Sequence, residues 1–205
     1  YTGEDTLSLH DALPILHQTQ QELFKTEMDN LALYGYGVKG FMLSMIETAI
    51  RITGGNLSAE GTDRILEIGK ELLERPIEIL PHVETVLEAL STKYRLVVAT
   101  KGDLLDQERK LKKSGLAKYF HHIEIMSDKK PEDYQKLIRH LDIAPEQFFM
   151  IGNSLKSDIL PVLELGGHGV HIPFHTTWAH EMVSHPVEHV NFREIEQLDE
   201  VLSFL

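Results

Sequence analysis

The chain has 205 residues, enough to bury one core or a core with an insert, and a formal net charge of −12. That charge disfavours DNA and RNA as partners, because phosphate backbones call for clustered Lys and Arg. The absence of cysteine excludes disulfides, thiolate metal sites and cysteine nucleophiles, and fits the reducing cytoplasm as the expected location.

No apolar run approaches the roughly 20 residues of a membrane span. The N-terminus also lacks the basic-then-apolar order of a signal peptide, so a soluble protein without a membrane partner is expected. From Leu16 to about Arg75 apolar residues recur at three- and four-residue steps in "LHQTQQELFKTEMDNLALYGYG", "VKGFMLSMIETAIRI" and "SAEGTDRILEIGKELLE". Gly-rich "GYG" and "TGGN" punctuate them, and Ser58 with Glu60 reads as the start of the third helix. Residues 16–76 therefore form an all-helical block.

After Pro76 the text alternates. A helix around "PHVETVLEALSTKY" leads to a strand "RLVVAT" (Arg95 to Thr100), a helix near "LLDQERKLKKSGL", a strand "HIEIM" and a helix "EDYQKLIRHL". Then come a strand "FFMIG" (Phe148 to Gly152), a helix near "KSDILPVLEL", a strand "HGVHI" and a closing helix "REIEQLDEVLSFL". Short β-branched runs between helices predict an α/β class core over residues 77–205, a Rossmann-like open parallel sheet joined by right-handed crossovers.

Ligands of such sheets sit at the carboxyl ends of the strands. Three of these ends carry polar text: Thr100, Lys101, Gly102 and Asp103; Ser127, Asp128, Lys129 and Lys130; and "GNSLKSD", Gly152 to Asp158. A hydroxyl, a lysine and a carboxylate there make a phosphate-plus-metal site. Thr100 Oγ and a backbone N–H beyond it can hold phosphoryl oxygens, and a lysine can neutralise them. Asp158 can bind Mg²⁺, and Asn153 and Ser154 can orient what remains. Lys101 and Gly102 fall beside the same substrate. In the helical block, "NLALYGYGVKGF" can present Tyr34, Tyr36 and Lys39 to substrate, or can be a Gly-broken helix junction with packed aromatics.

The order of Thr100 at a strand end, "SDKKPEDY", and "GNSLKSDILPVLELG" resembles motifs II, III and IV of the haloacid dehalogenase (HAD) superfamily, and the helical block is placed like that superfamily's C1-type cap. The likeness runs from Leu16 to Leu205. It implies a Mg²⁺-dependent phosphatase that works through an aspartyl-phosphate on a small phosphorylated metabolite, with cap closure excluding water. Oligomeric state stays open.

The chain departs from the pattern in three places. Asn153 stands where Asp is common, leaving Asp158 as the clearest metal ligand, and either Lys129 or Lys130 matches the motif III lysine. The resemblance also implies a central strand ending in Asp-x-Asp-x-Thr, nucleophile first and acid/base second. Aligning Asp5, Thr6 and Leu7 with its end puts Thr2 and Glu4 at those two positions, with no apolar strand before them. Thr6 to Ile15 instead equals, without mismatch, the translation of a common short-read sequencing adapter, so residues 1–15 read as a non-native segment and His10 and Asp11 are not a catalytic pair. A chain without the nucleophile is expected to be inactive. It would also leave the sheet open between the strands ending at Thr100 and Gly152.

Two other readings are weaker. A non-catalytic phosphate- or partner-binding protein keeps the pocket without the nucleophile, and a phospho-receiver domain gives no reason for the helical block. Histidines at 168, 171, 175, 180, 185 and 189 have irregular spacings and lack the i, i+4 pairing of a zincin, so they read as surface or strand-end residues. His175, Trp178 and His180 could border the mouth of the site.

Overall fold

The computed structural model describes residues 9–174, 183 and 186–205, with side chains from residue 16 onward. Thr2, Glu4, Asp5, Thr6, His175, Trp178, His180 and His185 lie outside the described residues. The chain divides into two units, Tyr1–Pro76 and Ile77–Leu205.

The first unit is three helices: α1 Leu9–Tyr34, α2 Val38–Ile52 and α3 Ala59–Glu74. Helix α1 begins before the expected Leu16. It ends at Gly35, whose φ of 70° suits a residue without a Cβ. Ser58 caps α3 as the sequence predicts, its side chain accepting from the Gly61 N–H at 3.0 Å. Small residues let the helices approach. Thr26, Ser44 and Thr48 are buried on α1 and α2, and a Cβ at Gly69 of α3 would overlap the Met42 thioether.

The second unit alternates as expected: α4 Val83–Ser91, β1 Val97–Lys101, α5 Leu104–Ser114, β2 His122–Met126, α6 Pro131–His140, β3 Phe149–Gly152, α7 Leu160–Glu164 and β4 His168–His171. The end of the chain differs. Instead of one closing helix, Phe192–Glu194 forms β5, and a short 3₁₀ turn covers Leu198–Ser203. The reason is tertiary pairing: β5 completes a parallel ladder on β4, and Ile195, just beyond it, enters the core at 6% exposure.

All pairings are parallel, but the strands form two sheets, β1-β2 and β3-β4-β5. Strand β1 pairs only with β2 and β3 only with β4, so each keeps one edge without a strand among the described residues. These edges belong to the strands that carry Thr100 and Gly152. A shared apolar layer holds the two sheets in one unit: Tyr134, Leu137 and Ile138 of α6 cluster with Met126, Phe148, Met150 and Val162, and Val97 and Ala99 of β1 pack against them. Every residue of β1 stays half-buried, and Phe149 of β3 is 39% exposed. No described helix is long and apolar enough to cross a membrane.

Candidate active site

Parallel strands carry their carboxyl ends to one side, and the described polar residues of the second unit gather there. Thr100 and Lys101 end β1 in register with Ile125 and Met126, which end β2. Beyond β3 the chain makes one wide turn over Leu155–Ile159, in which the Ser154 carbonyl accepts from both Asp158 N (2.8 Å) and Ile159 N (3.2 Å). That turn buries Ser157 and Asp158 at the strand ends.

Lys129 Nζ lies 2.5 Å from Asp158 Oδ1 with both side chains nearly excluded from water, and Asp158 Oδ2 accepts the Ser154 N–H at 3.0 Å. Only glycine is tolerated beneath this carboxylate, since a Cβ at Gly152 would overlap it. Lys101 Nζ donates to Ser157 Oγ at 3.0 Å, and the fully buried Tyr134 hydroxyl donates to the Ser157 carbonyl at 3.0 Å. Gly102 adopts φ 134°, and the Gln107 amide, which donates to the Lys101 carbonyl at 3.3 Å, fills the space a Cβ there would need. The Thr100 hydroxyl donates to the Lys101 carbonyl at 3.2 Å.

The two candidate lysines of "SDKK" part company. Lys129 turns inward to Asp158, while Lys130 stays on the surface, 3.1 Å from Asp128 at the start of α6. Burial alone would raise the Asp128 carboxyl. The Lys129 N–H, the Lys130 ammonium and the field of Lys101 outweigh it and hold Asp128 below the usual carboxylate range. Asn153 is exposed, and its backbone carbonyl is held by His171 Nε2 at 3.1 Å while His171 Nδ1 lies 2.7 Å from Glu194.

Thus Lys129 meets Asp158 and Lys101 meets the adjacent Ser157, while the Thr100 hydroxyl at the end of β1 turns back to the Lys101 carbonyl. Tyr34, Tyr36 and Lys39 belong to the other unit, where the Tyr34 hydroxyl donates to Glu47 Oε1. Sequence reasoning missed Ser157, Tyr134 and the His171–Glu194 pair. The three- and four-residue spacing of Tyr134 with Leu137 and Ile138 is a signal for one buried helix face, but only the fold shows where its hydroxyl reaches.

Residues 7–166 match the family model described as haloacid dehalogenase-like hydrolase. No curated protein matches the chain. Among solved structures it is similar to a haloacid dehalogenase-like family hydrolase from Xanthomonas campestris, at 40% identity and a TM-score of 0.77, over 87% of this chain and 72% of that one. A 2-haloacid dehalogenase from Pseudomonas syringae pv. tomato shares the fold at 17% identity and a TM-score of 0.61, over 95% and 87% of the two chains. A HAD phosphatase from Thermococcus onnurineus does so at 22% and 0.54, over 92% and 88%.

Proposed function

The chain belongs to the haloacid dehalogenase-like hydrolase family, and we propose that the intact protein hydrolyses a small organic phosphomonoester through an aspartyl-phosphate. These 205 residues alone then bind the phosphoryl group without turnover. The observation that carries this reading is the pair of ammoniums at the strand ends: Lys129 is held on Asp158 and Lys101 on the hydroxyl of the neighbouring Ser157, with Thr100 one residue before Lys101 on β1. Such a set matches an anion with several oxygens. An incoming phosphoryl group would draw Lys129 from Asp158 and Lys101 from Ser157, and their charge would stabilise the group in transfer.

Magnesium, which the family resemblance implies, fits this donor set poorly. The buried carboxylate of the turn after β3 is Asp158, and its two oxygens already accept from Lys129 and the Ser154 N–H. Asp128 beyond β2 is likewise engaged through both oxygens, by the Lys129 N–H and the Lys130 ammonium, and an octahedral dication asks for more anionic oxygen than these leave. A further carboxylate, on a strand between β1 and β3, would add the oxygen such an ion needs.

No Asp-x-Asp pair occurs anywhere in the 205 residues. Loss of a catalytic nucleophile in a well-studied hydrolase costs about 10⁶ in turnover. The chain is therefore expected to be silent towards p-nitrophenyl phosphate with Mg²⁺, and a form extended by an apolar strand ending in Asp-x-Asp-x-Thr is expected to hydrolyse it. Magnesium-dependent turnover by the 205-residue chain would sink the dead-site reading. Turnover of 2-chloropropionate but not of the phosphate ester by the extended form would replace phosphatase with dehalogenase. Absence of both activities in a folded extended form that still binds inorganic phosphate would favour a non-catalytic phosphate-binding protein.

A further inference from the structure

At the opposite end of β2 from the active site, three potential metal ligands converge. His122 and Glu124 are two residues apart on one strand and so project from the same face, and α6, running back along the sheet, ends at His140. One ligand atom from each of these three residues lies within 4.8 Å of the other two. His122 Nε2 is 3.6 Å from Glu124 Oε2, and the His122 and His140 ring centroids are 5.5 Å apart.

Those spacings match a metal better than a hydrogen bond. Tetrahedral zinc with nitrogen and oxygen ligands at about 2.0–2.2 Å holds neighbouring ligand atoms about 3.4 Å apart, so small side-chain rotations close the set. His122 Nε2 is shielded from solvent yet has no hydrogen-bond partner among the described residues. A buried ring nitrogen without a partner carries a desolvation cost that a metal would remove.

We propose that His122, Glu124 and His140 form a binding site for a divalent transition metal such as Zn²⁺, with a fourth position open to water. Two imidazoles and one carboxylate select zinc, nickel or copper over magnesium, which prefers oxygen alone. The site is separate from the strand ends. His122 begins β2, and about 16 Å of extended chain separates it from Ser127. It also lies outside the run of histidines from His168 to His189.

The test is calorimetric titration of the tag-free, metal-stripped chain with ZnCl₂, beside His140→Ala and Glu124→Gln. His140 is exposed at the end of α6, so its loss should leave the circular dichroism spectrum unchanged. The chain is expected to take up zinc with one equivalent that His140→Ala weakens at least tenfold, that Glu124→Gln also weakens, and that millimolar MgCl₂ does not displace. Other histidines can add equivalents, but the two variants should leave those in place. Superimposable isotherms for the chain and His140→Ala, or displacement of the equivalent by magnesium, would overturn the proposal. If His140→Ala unfolds, Co²⁺ absorption decides on folded Glu124→Gln: a visible d–d band altered relative to the parent supports the site, and an unaltered band refutes it.

Discussion

Lys129 Nζ and Asp158 Oδ1 stand 2.5 Å apart with their side chains only 10% and 6% exposed, so this ion pair joins the loop after β2 to the turn after β3 out of water. Removing one member leaves the other charge buried and alone. Lys129→Met and Asp158→Leu are each expected to destabilise the second unit by about 3 kcal/mol, and the double variant by clearly less than their sum. Equilibrium urea denaturation measures all three. Additive losses would show that the pair is solvated and that each side chain acts separately.

Gly152 supports that pair by what it lacks. Its added Cβ would overlap the Asp158 carboxylate, so Gly152→Ala must move the carboxylate away and release Lys129. Overpacking of this kind costs about 1–3 kcal/mol. The released ammonium should also acetylate faster than in the parent, read by mass spectrometry of limited acetic anhydride labelling. An unchanged melting temperature together with an unchanged Lys129 labelling rate would refute the contact.

How far the sequence foretold this arrangement depends on the residue. β-Branched runs marked β1, β2 and β4, and polar text at strand ends marked Lys101, Lys129 and Asp158, because both signals are local. Assigning Lys129 rather than Lys130 to the interior needed the fold, since the two are adjacent and identical. The closing stretch from Arg193 was misread because "REIEQLDEVLSFL" has an amphipathic spacing that suits a helix, while the open edge of β4 takes Phe192–Glu194 as a strand. Tertiary pairing there overrides local propensity. The His122, Glu124 and His140 cluster was invisible, because β2 and the far end of α6 meet only through the crossover.

Asp128 should shape the acid limb of stability. Its carboxyl is held low in the folded state by the Lys129 N–H and by Lys130 and Lys101 against the effect of burial. A depressed carboxyl contributes stability above its unfolded value, near 3.9, and loses it as the pH falls through the lower folded value. Asp128→Asn is therefore expected to flatten the dependence of melting temperature on pH below about 4 and to leave its slope near neutrality unchanged. Parallel curves for parent and variant over that acid window would contradict the assignment.

The divided sheet makes the most general prediction. Strand β4 has ladders on both sides, to β3 and β5, whereas among the described residues β1 pairs with β2 alone and β3 with β4 alone. Amides of a parallel strand point alternately to its two neighbours, so about half of those in β1 face the edge that has no strand among the described residues. In native-state hydrogen exchange the amides around Val170, itself 2% exposed, should be the slowest in the unit. Alternate amides between Val97 and Lys101 should exchange at least tenfold faster. Adding the apolar strand before Asp-x-Asp-x-Thr should protect those same amides and raise the melting temperature, because a parallel strand inserted there would be paired on both sides. Equal protection of β1 and β4 in the unextended chain would mean that the opening is already closed by residues outside the described set.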